Sequence, residues 1–125
     1  MKKLAFILLI SLLLPLAMQK CEAADVWVAH WESDNVDIYV VDDTLISHRD
    51  STGKSFKVTT KSVRNGKLIR LIKWDYFQDY SDMWRYESSL MDGSHSTAAH
   101  PTDAVFEFCM HKLGWGYRVQ EFWYY

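Results

Sequence analysis

Cysteine, proline and glycine are all scarce in this chain of 125 residues, with 2, 2 and 5 copies respectively. One cysteine, Cys21, belongs to the leading segment, so Cys109 stands alone in the body of the chain and no disulfide can form there. Exported domains of this size often rely on such bridges. Proline occurs only at positions 15 and 101, and no repeat, low-complexity tract or linker-like stretch divides the sequence. The formal net charge is −2. That balance argues against nucleic acid, whose phosphates call for grouped Lys and Arg, and against an anionic lipid surface.

What the chain does have is a leader. Lys2 and Lys3 precede an apolar run from Leu4 to Met18, and Cys21-Glu22-Ala23 places small residues where a signal peptidase reads them. The pattern predicts a signal-peptide helix over residues 1–23, with cleavage between Ala23 and Ala24 and a secreted or periplasmic product of the cell envelope. The apolar run is shorter than the roughly 20 residues of a membrane span. A retained anchor is the first competing reading. A lipidated Cys21 is the second, and Lys20 opposes it, because a small residue belongs just before a lipidated cysteine. Once the leader is gone, Lys and Arg fall from 14 to 11 and Asp and Glu from 16 to 15, a net charge of −4 over residues 24–125.

That remainder is rich in rings. All six Trp, all seven Tyr and five of the six Phe follow residue 23. Burying one large apolar side chain stabilises by about 1.5–3 kcal/mol, so a few such rings can dominate the packing of a single domain.

Alternation marks the strands. Val36, Ile38 and Val40 share one face, after a strand over Asp25 to Trp31 and a turn at Glu32 to Asn35. The second strand runs towards Ile46, and residues 48–54 form a polar loop with Gly53 at its end. Asn65-Gly66 suits a two-residue type I′ turn between runs ending at Arg64 and starting at Lys67. Counting outward pairs Arg64 with Lys67, Val63 with Leu68, Lys61 with Arg70, Thr59 with Ile72 and Lys57 with Trp74. Phe56, Val58, Thr60, Ile69 and Leu71 then share the opposite face. Two like-charged pairs make this register uncomfortable. A loop at residues 78–82 leads to a strand from Met83 to Met91, with Trp84, Tyr86, Ser88 and Leu90 on one face. Asp92-Gly93 turns the chain into a short strand over residues 94–98.

At Pro101-Thr102-Asp103 the period changes to that of a helix, with an apolar stripe of Val105, Phe106, Cys109, Met110 and Leu113 and a stop at Gly114. The aromatic tail from Trp115 to Tyr125 is expected to return to the domain. The fold class is therefore α+β: an antiparallel meander of about six strands, twisted or curled, with one C-terminal helix packed on the sheet.

The stretches DVWVAHWESDNVDIYVVDDT, KSFKVTTKSVRNGKL, DMWRYE and FEFCMHKLG together resemble a group of small exported bacterial proteins of uncharacterised function. The likeness spans most of residues 24–125. It implies a shared scaffold and brings no catalytic residues.

Candidate chemistry is thin. His30, His48, His95, His100 and His111 match no metal-ligand spacing, and no metal or cofactor is expected. Asp75, Asp79 and Asp82 around a hairpin loop read as solvated turn residues rather than calcium ligands. Cys109 lies on the apolar stripe of the helix and reads as a buried, inert thiol. Ser94 and His95 would point to opposite faces of a strand. The candidate binding residues are Trp74, Trp84 and Tyr86, as an aromatic face for an envelope protein or a glycan. The expected function is a non-enzymatic exported binding module; the alternative is an inhibitor of an extracellular or periplasmic hydrolase, presenting the loop from Gln78 to Asp82.

Overall fold

The structure, a computed structural model, describes residues 25–125. The expected signal peptide and its expected cleavage site at Ala23 and Ala24 lie outside the described residues. Six strands follow one another as an antiparallel meander in sequence order: β1 (Asp25–Trp31), β2 (Val36–Asp50), β3 (Gly53–Arg64), β4 (Lys67–Gln78), β5 (Trp84–Ser88) and β6 (Thr97–Ala98). One helix, α1 (Ala104–Leu113), comes next, and β7 (Val119–Gln120) and β8 (Trp123–Tyr124) close the chain as a separate small hairpin. No helix among the described residues is long and apolar enough to cross a membrane.

The Asn65-Gly66 turn forms as the sequence predicts, with φ of 51° and 75°. The register beyond it differs. Arg64 faces Lys67 and Val63 faces Leu68, but Ser62 then faces Arg70, so Ile69 is the extra residue of a bulge. Lys61 therefore faces Leu71, Thr60 faces Ile72 and Lys57 faces Asp75. The bulge turns Ile72, Trp74 and Tyr76 inward beside Phe56, Val58 and Thr60, and it leaves Ile69 and Leu71 exposed. It also removes the Lys61–Arg70 clash and places Lys61 instead 2.7 Å from Asp25.

Other boundaries move for similar local reasons. β2 continues to Asp50 and pairs with β3 down to Asp50 opposite Gly53, so the expected polar loop is a two-residue tip at Ser51 and Thr52. Asp50 holds that tip by accepting from the Thr52 N–H and hydroxyl. β5 stops at Ser88, well short of Met91, and only Thr97 and Ala98 of the last expected strand pair with it. The helix begins at Ala104 rather than at Pro101. Thr102 is left-handed, with φ of 74°, and Asp103 is the N-cap, accepting from the Phe106 N–H at 3.0 Å. Gly114 ends the helix with φ of 70°.

One core holds these parts together. Val36, Ile38 and Val40 from β2, Phe56 and Val58 from β3, Ile72, Trp74 and Tyr76 from β4, and Trp84 from β5 face Val105, Phe106, Cys109 and Met110 of α1. Sheet and helix thus bury one continuous apolar cluster, and the sheet's other face carries exposed Trp27, Leu71 and Ile46. The sheet also curls. β1 and β4 are three strand spacings apart, roughly 14 Å on a flat sheet, yet Trp31 and Trp74 meet at 6.2 Å between ring centroids. Irregularities in β1, β2 and β4 supply the extra coiling.

The tail returns as expected. Tyr124 is completely buried, with its ring 4.3 Å from that of Phe106. Trp115 packs on Phe56 and Trp84, and the Arg49 guanidinium and Lys54 ammonium lie over its ring at 5.8 and 5.5 Å.

Candidate site: an aromatic cleft at the helix start

Curling of the sheet brings β1 towards β4 and β5 and leaves a cleft of about 400 Å³ between them and the start of α1. Trp31, Trp74 and Tyr86 form its aromatic walls, with Ala29 and His30 at one rim and Thr102, Asp103 and Ala104 at the other. Trp31 and Trp74 stand nearly perpendicular, at 82°, and make a corner. Tyr86 stands 5.6 Å from Trp74 at an angle of 52°. Trp74 is fixed in place because its indole N–H donates to Thr60 Oγ1 at 2.9 Å in the core.

Asp103 contributes the charge. Its Oδ2 accepts from the Tyr76 hydroxyl at 2.9 Å, and its Oδ1 caps the helix. Burial raises its carboxyl above the ordinary carboxylate range, against the lowering effect of these hydrogen bonds. No Lys, Arg or His among the described residues forms an ion pair with it. Its field reaches the aromatic wall: burial first, and then the Asp103 charge, push the Tyr86 hydroxyl upward. His30 is occupied elsewhere, with Nδ1 3.0 Å from Asp37 Oδ1. Asp37 also accepts from the Trp27 indole, and these two contacts hold its carboxyl below the ordinary range.

Of the three aromatic residues expected to bind, Trp74 and Tyr86 do line the cleft, whereas Trp84 does not. Trp84 is 1% exposed and packs on Phe56 and Phe106, because the inward face of β5 continues the core of β4 at this point. Sequence reasoning missed Trp31 and His30, and it treated Asp103 only as a helix-start acid. Nothing local marks these residues as partners, since curling of the sheet is what joins them.

The other candidates separate as follows. Cys109 is buried, and burial pushes its thiol up to about 12, which leaves almost no thiolate at neutral pH. Ser94 and His95 do touch, with Oγ and Nδ1 2.7 Å apart, because they lie in a bend and not in a strand. The Ser94 hydroxyl, however, donates to Asp92 at 2.6 Å, so its proton is directed at a carboxylate on an open surface. Asp79 accepts from the Ser81 N–H, the Ser81 hydroxyl and the Met83 N–H, and so serves its own turn. Asp75 sits across the strand from Lys57, 4.0 Å away. No three His, Cys, Asp or Glu side chains among the described residues converge on a point that could hold a metal ion.

A wider groove of about 590 Å³ crosses the outer face between Ile46, Lys57, Thr59, Lys73, Asp75 and Glu87. Lys57 and Asp75 in its wall pair with each other at 4.0 Å, and its floor includes strand positions Val58 and Trp74 whose side chains point into the core. The cleft is the better-built site, because three rings wall it and no basic side chain among the described residues pairs with Asp103. No family model matches the chain, and neither does any curated protein or solved structure.

Proposed function

We propose that this is an exported, non-enzymatic binding module of the cell envelope and that the aromatic cleft is its ligand site. The observation that carries this reading is the corner of Trp31 and Trp74, closed by Tyr86, around a space of about 400 Å³. Aromatic rings that line a cleft are a common basis for recognition of small groups. The volume fits a head group, a sugar ring or one side chain of an envelope protein or glycan.

The test follows the indole N–H resonances of isotopically labelled protein during titration with a panel of saccharides, amines and short peptides. Binding in the cleft shifts Trp31 and Trp74, and Trp31→Ala abolishes the response. Shifts confined to Trp27 would place the site elsewhere and defeat the proposal.

One observation favours the inhibitor alternative. Tyr80 is fully exposed at the tip of the loop that follows β4. Asp79 locks that loop, both through its carboxylate and by backbone hydrogen bonds to Met83 and Asp82. A rigid loop bearing one projecting ring suits insertion into an active site. Inhibition of an envelope hydrolase by the native protein, lost in Tyr80→Ala, would establish this use.

A further inference from the structure

We infer that the cleft takes an organic cation, specifically an alkylated ammonium group seated in the Trp31–Trp74 corner with Asp103 as its counter-charge. This inference deepens the binding-module reading and rests on it.

Two independent features point the same way. The first is the geometry of the rings. Aromatic faces carry negative potential and attract cations, most strongly for Trp, and methylated ammonium groups are held by rings set at steep angles to one another. Trp31 and Trp74 at 82°, with Tyr86 at 52° to Trp74, give three such walls. A bulky, weakly hydrated cation loses little by leaving water for such a site, whereas a small, strongly hydrated ion loses much more.

The second feature is the charge of Asp103. Carboxylates taken out of water are ordinarily paired, because an unpaired charge there is costly, and Asp103 is half-buried. Asp103 accepts one hydrogen bond from Tyr76 and one from the helix backbone, yet no basic side chain among the described residues meets it. The positive end of α1 offsets about half of one charge. A carboxylate has room for about four hydrogen-bond donors, so it can face the cleft without giving up either bond. His30, on the rim, is already engaged by Asp37.

A neutral sugar would use the rings and leave Asp103 without a counter-charge. An anionic ligand would be repelled by it. An ammonium group uses both features.

The experiment is a titration of the purified native protein with choline and with its uncharged isostere, in which a quaternary carbon replaces the nitrogen. Trp31 and Trp74 indole shifts report binding, and Trp31→Ala and Asp103→Asn are the variants. Asparagine caps a helix as well as aspartate does, so the second variant removes charge while keeping the cap; urea unfolding checks that both variants fold. Choline should bind at least ~10-fold more tightly than the isostere, and each substitution should weaken choline by a similar factor.

Equal binding of choline and isostere overturns the cation inference and leaves the cleft as a binding site. Choline binding unaffected by Asp103→Asn overturns the role of Asp103. No shift with either probe overturns the inference, and the wider ligand panel then decides whether the binding-module reading also falls. A second arm uses phosphatidylcholine vesicles. Co-sedimentation that is lost in Trp31→Ala identifies a lipid head group as the source of the cation, and binding of free choline alone identifies a soluble one.

Discussion

Replacing Tyr124 with alanine tests whether the aromatic tail is part of the core. Tyr124 lies one residue from the end of the sequence and is completely buried. Its ring meets Phe106 at 4.3 Å and Tyr117 at 5.4 Å, and its hydroxyl accepts the Asp103 N–H at 3.2 Å. A buried aromatic ring removes roughly 150–250 Å² from water. At about 25 cal/mol per Å² this gives an upper figure of about 4–6 kcal/mol. Measured truncations of buried rings to alanine cost about 3–5 kcal/mol, a large share of the roughly 5–15 kcal/mol that holds a domain folded. Tyr124→Ala should therefore lower the urea midpoint sharply and reduce Tm by roughly 12 °C or more. Tyr124→Phe keeps the ring, and the Asp103 N–H still reaches the His100 carbonyl at 3.2 Å. Its loss should be only about 1 kcal/mol. Urea unfolding followed by far-UV circular dichroism measures both variants. A loss below about 1.5 kcal/mol for the alanine variant would refute the docking of the tail.

Cys109 should resist thiol reagents at neutral pH until urea opens the core, because its thiol is buried and raised to about 12; fast labelling of the native protein contradicts its placement. Asp103 has a raised carboxyl pKa in the folded state, so the folded state holds its proton over a window where the unfolded state has lost it. Stability should fall as pH rises from about 4 towards the raised value and then level off. Asp103→Asn should flatten that segment of the urea-midpoint profile, and an unchanged profile counts against the burial of the carboxylate. Deleting Ile69 removes the bulge residue and leaves Ile72 opposite Thr60. The variant should keep its circular dichroism spectrum and lose no more than about 3 kcal/mol in urea unfolding; wholesale unfolding would show that the bulge is indispensable.

Much of the sheet was readable from local chemistry. Asn65-Gly66 can take two positive φ angles in succession, and Val36, Ile38 and Val40 alternate cleanly, so both features follow from short-range rules. The register error had a visible cause. Ile69 and Leu71 are apolar yet exposed, while Ile72, Trp74 and Tyr76 face the core, so apolar alternation counted back from the turn selects the wrong face and does not mark the extra residue at Ile69. The Thr102 kink was hidden, because threonine seldom takes a positive φ and only tertiary packing holds it there. The cleft is half legible: Trp74 and Tyr86 read as rings on one sheet, but the sequence does not say how far the helix and tail cover that face, and they bury Trp84. Trp31 joins them only through curvature, which is a property of the whole sheet.

β1 is the outermost strand and is hydrogen-bonded along one side only. One wall of the cleft therefore hangs from the outer lane of the sheet, while Trp74 and Tyr86 belong to strands flanked on both sides. If those seven residues peel away, the pocket becomes an open shelf, while β2 to β6 keep their own pairing. Whatever settles between the two indoles therefore also fastens the chain's leading edge, and amide exchange along residues 25–31 should slow in step with occupancy.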